Sequence, residues 1–331
     1  MADVLQRPQE EAGGRRRSSD RVDAVGERVT ALTALDGARV LVTGGRGLIG
    51  RPTVAALLAE GAVVTVLDRS DAGADPAVRT VVGDVTDEAV LAEALSGQHA
   101  VVHLGGYAGL GMADAVETYR VNAVGTFAVL AASAAAGVAK VVYASSINAN
   151  GYPLGAEQAL PPVFPYSEDA APRISDEYSL SKLASEDAAR MAHATWGLEL
   201  TGLRFPLVRD ITLDGGRRFG EHLRTAIAAD PRRQAAEGFS YLDAADAARS
   251  VLAALLHDTP PAPGILVAAP LTYLRGDTAA ALDAIAPGVP RGELPGRSVG
   301  LDLTRSRELL GFEAAVLLDD VAPDQLAEVA P

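Results

Sequence analysis

The stretch Val40-Leu41-Val42-Thr43-Gly44-Gly45-Arg46-Gly47-Leu48-Ile49-Gly50 constrains this chain more than any other. Val40 to Val42 is a short, largely β-branched apolar run that reads as a buried strand, and the glycines after it open a helix over 48–60. Glycines at 44, 47 and 50 let the chain turn tightly, let the backbone approach a pyrophosphate and let helix pack on strand. The helix N-terminus adds unpaired N–H groups and a positive dipole end. Gly44, Gly47, Leu48, Ile49 and Gly50 are therefore candidate cofactor-binding residues. Alone, the motif also fits a glycine-rich turn without a ligand, the lesser of the two readings, so the rest of the chain has to decide.

The chain alternates strand and helix from this stretch onward: strands at 38–43, 62–67, 79–82, 99–104, 139–145 and 198–205, and helices at 48–60, 87–96, 112–136 and 177–196. Such alternation predicts an α/β fold, a doubly wound parallel sheet of Rossmann type, with ligands at the carboxyl ends of its strands. The second strand ends at Asp68, where an acid accepts hydrogen bonds from an adenosine ribose and repels a 2′-phosphate, favouring NAD. Arg46 and Arg69 pull the other way, since a guanidinium there can grip that phosphate, so NADP stays open. Asp84 and Val85 come after the third strand as candidates for the adenine amino group and ring, and Leu104, Gly105 and Gly106 end the fourth where a flat cofactor can come close. His99 and His103 lie on or beside that strand and read as core histidines; no His/Asp/Glu spacing builds a metal site.

The chemistry is carried by Glu177-Tyr178-Ser179-Leu180-Ser181-Lys182, whose four-residue spacing puts Tyr178 and Lys182 on one helix face. The chain has eight tyrosines and only two lysines, Lys140 and Lys182, so about 0.05 such pairs are expected by chance. A flexible point charge beside a phenol suits lysine better than the planar fork of arginine, and it is expected to lower the tyrosine's pKa towards use as a base. Upstream, Ser145 and Ser146 end the strand 139–145 region, where a hydroxyl can orient a substrate oxygen.

Composition sets the limits. A formal charge of −14 argues against nucleic acid or an anionic membrane as partner, and the absence of cysteine excludes disulfides, thiolate metal sites and cysteine nucleophiles. No apolar run approaches membrane-spanning length, and no apolar segment comes after Arg15-Arg16-Arg17, so a cytoplasmic location is expected. Residues 1–36 lack an apolar period and read as a mobile tail, with a short helix near 28–35. The predicted domains are a dinucleotide-binding unit at 37–205 and a smaller, mainly substrate-binding lobe at 206–331, of which 240–268 returns to the first unit. Arg209, Arg217, Arg218, Arg224, Arg232 and Arg233 cluster in that lobe, where they suit either an anionic substrate group or a solvated helix face. The proline-rich connection from Tyr152 through Pro172 is expected to fold over the substrate as a lid.

TGGRGLIG, Asp68, Gly83-Asp84-Val85, HLGG, Asn122-Ala123-Val124-Gly125-Thr126, YASSINANG, YSLSK and LRFP together resemble the extended short-chain dehydrogenase/reductases, the NAD-dependent epimerase/dehydratase family. The resemblance runs over about 37–206 and implies bound NAD, Tyr178 as acid/base, Lys182 on the nicotinamide ribose, Ser146 on the reacting oxygen, Asn122 as an active-site structural residue, and a homodimer. Tyr107, Ser146, Ile147, Asn148 and Arg217 are the candidate substrate contacts. Two departures narrow the reaction. Ile147 and Asn148 stand where the family's 4,6-dehydratases carry an Asp-Glu pair, and Asn150-Gly151 where many 4-epimerases carry Tyr-Gly. The expected activity is hydride transfer at a secondary alcohol or ketone of a sugar or nucleotide-sugar-like substrate. The alternatives are a dehydrogenase or ketoreductase for a non-sugar metabolite and a non-catalytic dinucleotide sensor.

Overall fold

The computed structural model describes residues 32, 34–73, 75–258 and 260–329. The expected tail therefore lies almost wholly outside the described residues, although Leu35 is buried at 3% exposure and belongs to the core.

The main sheet is built from seven strands: β1 (Arg39–Thr43), β2 (Val63–Asp68), β3 (Arg79–Val82), β4 (Ala100–His103), β5 (Lys140–Ser146), β6 (Glu199–Phe205) and β9 (Ala262–Leu266). All are parallel, in the order β3-β2-β1-β4-β5-β6-β9. The strand order reverses between β1 and β4, and there the crossover connections leave in opposite directions and open a crevice. Alternation along each strand feeds two cores. Val40, Val42, Val64, Val66, Val102 and Val142 face one side with α1 (Gly50–Ala59). Leu41, Leu67, Val101 and Val141 face the other, with α2 (Glu88–Leu95), α4 (Gly125–Ala135) and α5 (Glu177–Trp196). Strands buried on both faces read as continuous apolar runs, which is why the sequence locates β1 to β6 within a residue or so, whereas β9, with Pro263 and Gly264 inside it, is not among the predicted strands.

The expected helix 112–136 is instead three pieces: α3 (Ala115–Tyr119), a wide π-type turn over Arg120–Val124, and α4. The widened turn carries Asn122, whose amide holds a distant loop, and such bulges arise where a side chain has to be aimed. By contrast α5 keeps its predicted ends. Asp176 caps it by accepting a hydrogen bond from Ser179 N, and Gly197 stops it in the left-handed conformation.

After β6 the chain leaves the sheet. β7 (Leu207–Arg209) pairs in parallel with β8 (Tyr241–Asp243), between them come α6 (Arg217–Ala229) and α7 (Pro231–Ala236), and α8 (Ala244–Leu256) packs on α1 before β9 rejoins the sheet beside β6. Three short helices complete the chain, α9 (Thr278–Ile285), α10 (Thr304–Leu310) and α11 (Leu318–Val321). Among the described residues no helix is long and apolar enough to cross a membrane.

Candidate active site

The glycine turn makes close approach possible because its glycines touch backbone. A Cβ on Gly50 would lie 2.1 Å from the Gly44 carbonyl oxygen, and one on Gly44, whose φ is +68°, would lie 2.8 Å from the Gly105 nitrogen. The helix begins at Gly50 rather than 48 because Gly47 N first closes a turn onto Gly44 O at 3.0 Å. Gly44, Gly47, Asp68, Arg69, Asp84, Val85, Leu104, Gly105, Gly106 and Tyr107 all line one cleft of about 280 Å³ at the switch point. Leu48, Ile49 and Gly50 are not in that lining, and Leu48 turns outward, half exposed.

Inside the cleft both Asp68 oxygens are aligned by backbone, Oδ2 by Arg46 N at 3.0 Å and Oδ1 by Arg69 N at 2.8 Å. The Arg46 guanidinium is drawn away to Ala72 O and Thr80 Oγ1, while that of Arg69 lies 5.7 Å from the Tyr107 ring centre. Burial raises the Asp84 carboxyl pKa, but two hydrogen bonds from Thr86 and the charges of Arg120 and Arg69 outweigh it and the net shift is downward. Asn122 holds the cleft's far wall, accepting from Tyr107 N at 2.8 Å and donating to Tyr107 O and to Ser181 Oγ on α5.

Ser146, Tyr178 and Lys182 meet at the end of β5, at 5%, 4% and 9% exposure. Ser146 Oγ accepts from Asn148 N and Nδ2, and its hydroxyl acts to lower the pKa of the Tyr178 phenol. Lys182 Nζ donates to Ala144 O at 2.9 Å and stands 5.8 Å from the Tyr178 ring centre. The electrostatics differ from the sequence expectation. Burial pushes the Tyr178 phenol up to about 12 against the lowering influence of Ser146, and burial pulls Lys182 down to about 8. An ammonium committed to a carbonyl does not offset the loss of water around a phenolate. Ile147 is core, at 2% exposure, and Asn148 Nδ2 donates to Ser146 Oγ while its Oδ1 is buried with no partner among the described residues. Arg217 starts α6 exposed, its side chain without a hydrogen bond or ion pair among the described residues.

Several groups are invisible in the sequence. Arg204, inside LRFP, is 4% exposed and clamps Glu186 of α5 through Nε and Nη2, both at 2.7 Å, while Nη1 reaches Asn150 Oδ1 and Glu168 O. The 152–172 connection is thereby pinned down, with Leu266 N also donating to Glu168 Oε1. His103, by contrast, is the satisfied core histidine that the sequence suggests, bridging Thr43 and Thr126 beneath the cleft. Glu237 and Tyr166, far apart in sequence, are both buried, and the charge of Glu237 acts on the phenols of Tyr166 and Tyr178.

A parallel sheet with a glycine turn and an acid at its switch point defines a Rossmann-type dinucleotide-binding protein. The sequence profile of the NAD dependent epimerase/dehydratase family matches residues 40–269, and the chain belongs to that family. It is 34% identical over 173 residues to the L-arabinose 1-dehydrogenase (NAD(P)(+)) of Haloferax volcanii, covering 50% of this chain and 66% of that protein. It is 33% identical over 175 residues to the UDP-glucose 4-epimerase of Corynebacterium glutamicum, covering 50% of each. The chain thus matches between half and two-thirds of the length of these relatives. A short-chain dehydrogenase/reductase superfamily protein of Agrobacterium tumefaciens, crystallised with bound NAD, superposes with a TM-score of 0.66 at 27% identity, over 87% of this chain and 96% of that one. NAD is the cofactor of the family, and the cleft fits it: Gly44 and the Leu104-Gly105 backbone can come together at its floor only because Gly44 has no side chain, and Asp68 offers a carboxylate rather than a free guanidinium to a ribose.

Proposed function

We propose that the protein is an NAD-dependent oxidoreductase acting at a secondary alcohol or ketone of a sugar-like substrate. The observation that carries this reading is the buried Ser146, Tyr178 and Lys182 group at the end of β5, a strand of the sheet that holds the dinucleotide cleft. Gly44, Gly47, Asp68, Asp84, Val85, Gly105 and Lys182 would hold the cofactor, with 37–205 as the dinucleotide-binding part and 206–331 mainly on the substrate side. When bound, NAD supplies the hydride acceptor or donor. Tyr178 exchanges the proton of the reacting oxygen, Ser146 hydrogen-bonds that oxygen, and Lys182 fixes the charge beneath. A phenol held near 12 is protonated at neutral pH, so the free protein is set to donate a proton to a ketone, and alcohol oxidation gains as pH rises.

Elimination of water in the manner of the 4,6-dehydratases is disfavoured, because Ile147 is buried in the core and Asn148 is a neutral amide that cannot serve as acid or base. Epimerisation and net oxidation both remain compatible with the triad, and the relatives divide along that line.

The test is a screen of free and nucleotide-linked sugars with NAD, following NADH absorbance and product epimers together, for the wild type and Tyr178→Phe. Loss of the acid/base is expected to lower kcat by roughly 10²–10⁴-fold with little change in NAD affinity. Equal turnover by the variant would show that Tyr178 is not the acid/base, and absence of turnover in both favours a dinucleotide sensor.

A further inference from the structure

We propose that Thr80 sets the choice of cofactor. Its hydroxyl holds the Arg46 guanidinium away from the adenosine ribose, so that the cleft prefers NAD over NADP, and Arg46 is a latent ligand for a 2′-phosphate. Thr80 is thus a positioning residue that acts through Arg46.

Arg46, Asp68 and Arg69 line the same cleft, so the acid that suits a ribose stands between two residues that suit a phosphate. Thr80 does not line that cleft. Among the described residues the Arg46 guanidinium meets no carboxylate. Nη1 donates to Ala72 O at 3.3 Å, Nη2 donates to Thr80 Oγ1 at 3.0 Å, and Nε is buried without a partner. Thr80 is the second residue of β3 and pairs with Val66, two residues before Asp68 on β2. The Arg46 side chain therefore runs back along the sheet, away from the strand ends where the ribose binds. Its backbone is fixed on both sides, because Arg46 N donates to Asp68 Oδ2 at 3.0 Å and Arg46 O accepts from Arg51 Nε at 2.9 Å. Only the side chain has to turn for the guanidinium to change partners.

One hydroxyl is enough to decide where it points. A guanidinium has five N–H donors, and here it gives two hydrogen bonds, both to neutral oxygens. A phosphate offers it charge-assisted, bidentate bonds that are about twice as strong as neutral ones. In the wild type those bonds form at the expense of the bond to Thr80 and beside the Asp68 carboxylate, which repels the phosphate. Removing the Thr80 hydroxyl leaves only the longer bond to Ala72 O and frees the guanidinium to turn. A hydrogen bond to a charged group is worth roughly tenfold in an equilibrium. Arg69 is held separately, its guanidinium 5.7 Å from the centre of the Tyr107 ring, and a change at Thr80 does not touch it.

The experiment titrates the full chain, freed of nucleotide, with NADH and with NADPH by fluorescence, for the wild type, Thr80→Val, Thr80→Ser and the double variant Thr80→Val with Arg46→Ala. The wild type is expected to bind NADH about tenfold or more tightly than NADPH. Thr80→Val keeps the branched shape of a strand residue and loses only the hydroxyl, so it is expected to tighten NADPH about tenfold with NADH unchanged. Thr80→Ser keeps the hydroxyl and should match the wild type, and the double variant should lose the gain because the phosphate's ligand has gone. Thr80→Ala carries the test if Thr80→Val does not fold. A residue with a purely structural part would move both affinities alike. Equal affinity of the wild type for the two cofactors, an unchanged ratio or equal weakening of both in the hydroxyl-free variants, or a gain that persists without Arg46 each overturns the role of Thr80.

Discussion

His103 has both ring nitrogens engaged, by Thr43 Oγ1 at 2.7 Å and Thr126 Oγ1 at 3.1 Å, and Gly105 N donates to the same threonine, Thr43. Burial, and then the charge of Lys182, pull its pKa down to about 3. A value held below the ordinary 6.5 means that the unfolded chain binds the proton first. The stability tied to neutral His103 is complete above pH 6.5 and is lost as pH falls through 3. The urea midpoint of the wild type is therefore expected to drop steadily between those values, and His103→Gln to take a flatter course; parallel curves would remove His103 from the acid transition. At this scale the sequence is legible only where partners are near along the chain. Tyr178 and Lys182 lie one helical turn apart and could be read, whereas Arg46 and Thr80 meet only once the chain has folded. The pKa directions also escaped, since burial rather than the neighbouring charge dominates each.

At the scale of elements, the β1 turn and α1 act as one unit because Gly50 lies against Gly44. Adding a methyl group at 50 would place it 2.1 Å from a backbone oxygen, a contact relieved only by moving the turn or the helix. Overpacking of this kind costs roughly 1–3 kcal/mol. Gly50→Ala is expected to lower Tm by several degrees and to raise the Kd for NAD at least tenfold, read by thermal melts and fluorescence titration. A variant that melts lower yet binds NAD normally would show that the turn tolerates the shift. Buried strands and capped helices were readable because apolar runs and caps are local. The break within 112–136 was not, because the turn at 120–124 widens to serve Tyr107 and Ser181, neither adjacent to it in sequence.

On the scale of the whole molecule, helices α3, α4 and α5 pack together on one side of the sheet and leave apolar groups outside: Val116, Val124, Phe127 and Leu180, with Trp196 edge-on to Phe127 at 5.9 Å. Exposed apolar side chains gathered on one helical layer mark an interaction site. The family resemblance implies a second copy as its occupant, and we propose the homodimer on both grounds. Each chain carries a formal charge of −14, so two copies repel at long range. At about 0.15 M salt that repulsion is screened beyond roughly 8 Å, while contact between apolar side chains is not weakened. Association through this face is therefore expected to tighten with salt, the reverse of an interface held by ion pairs. Light scattering on a sizing column should give twice the 34.1 kDa chain mass at micromolar concentration, more completely in about 0.3 M than in about 0.02 M salt. Phe127→Asp combined with Leu180→Asp should give the single-chain mass with NAD affinity retained, because neither residue lines the cleft. A wild type that stays at the single-chain mass in both salts would rule the homodimer out, and a variant that remains dimeric would move the interface to another face.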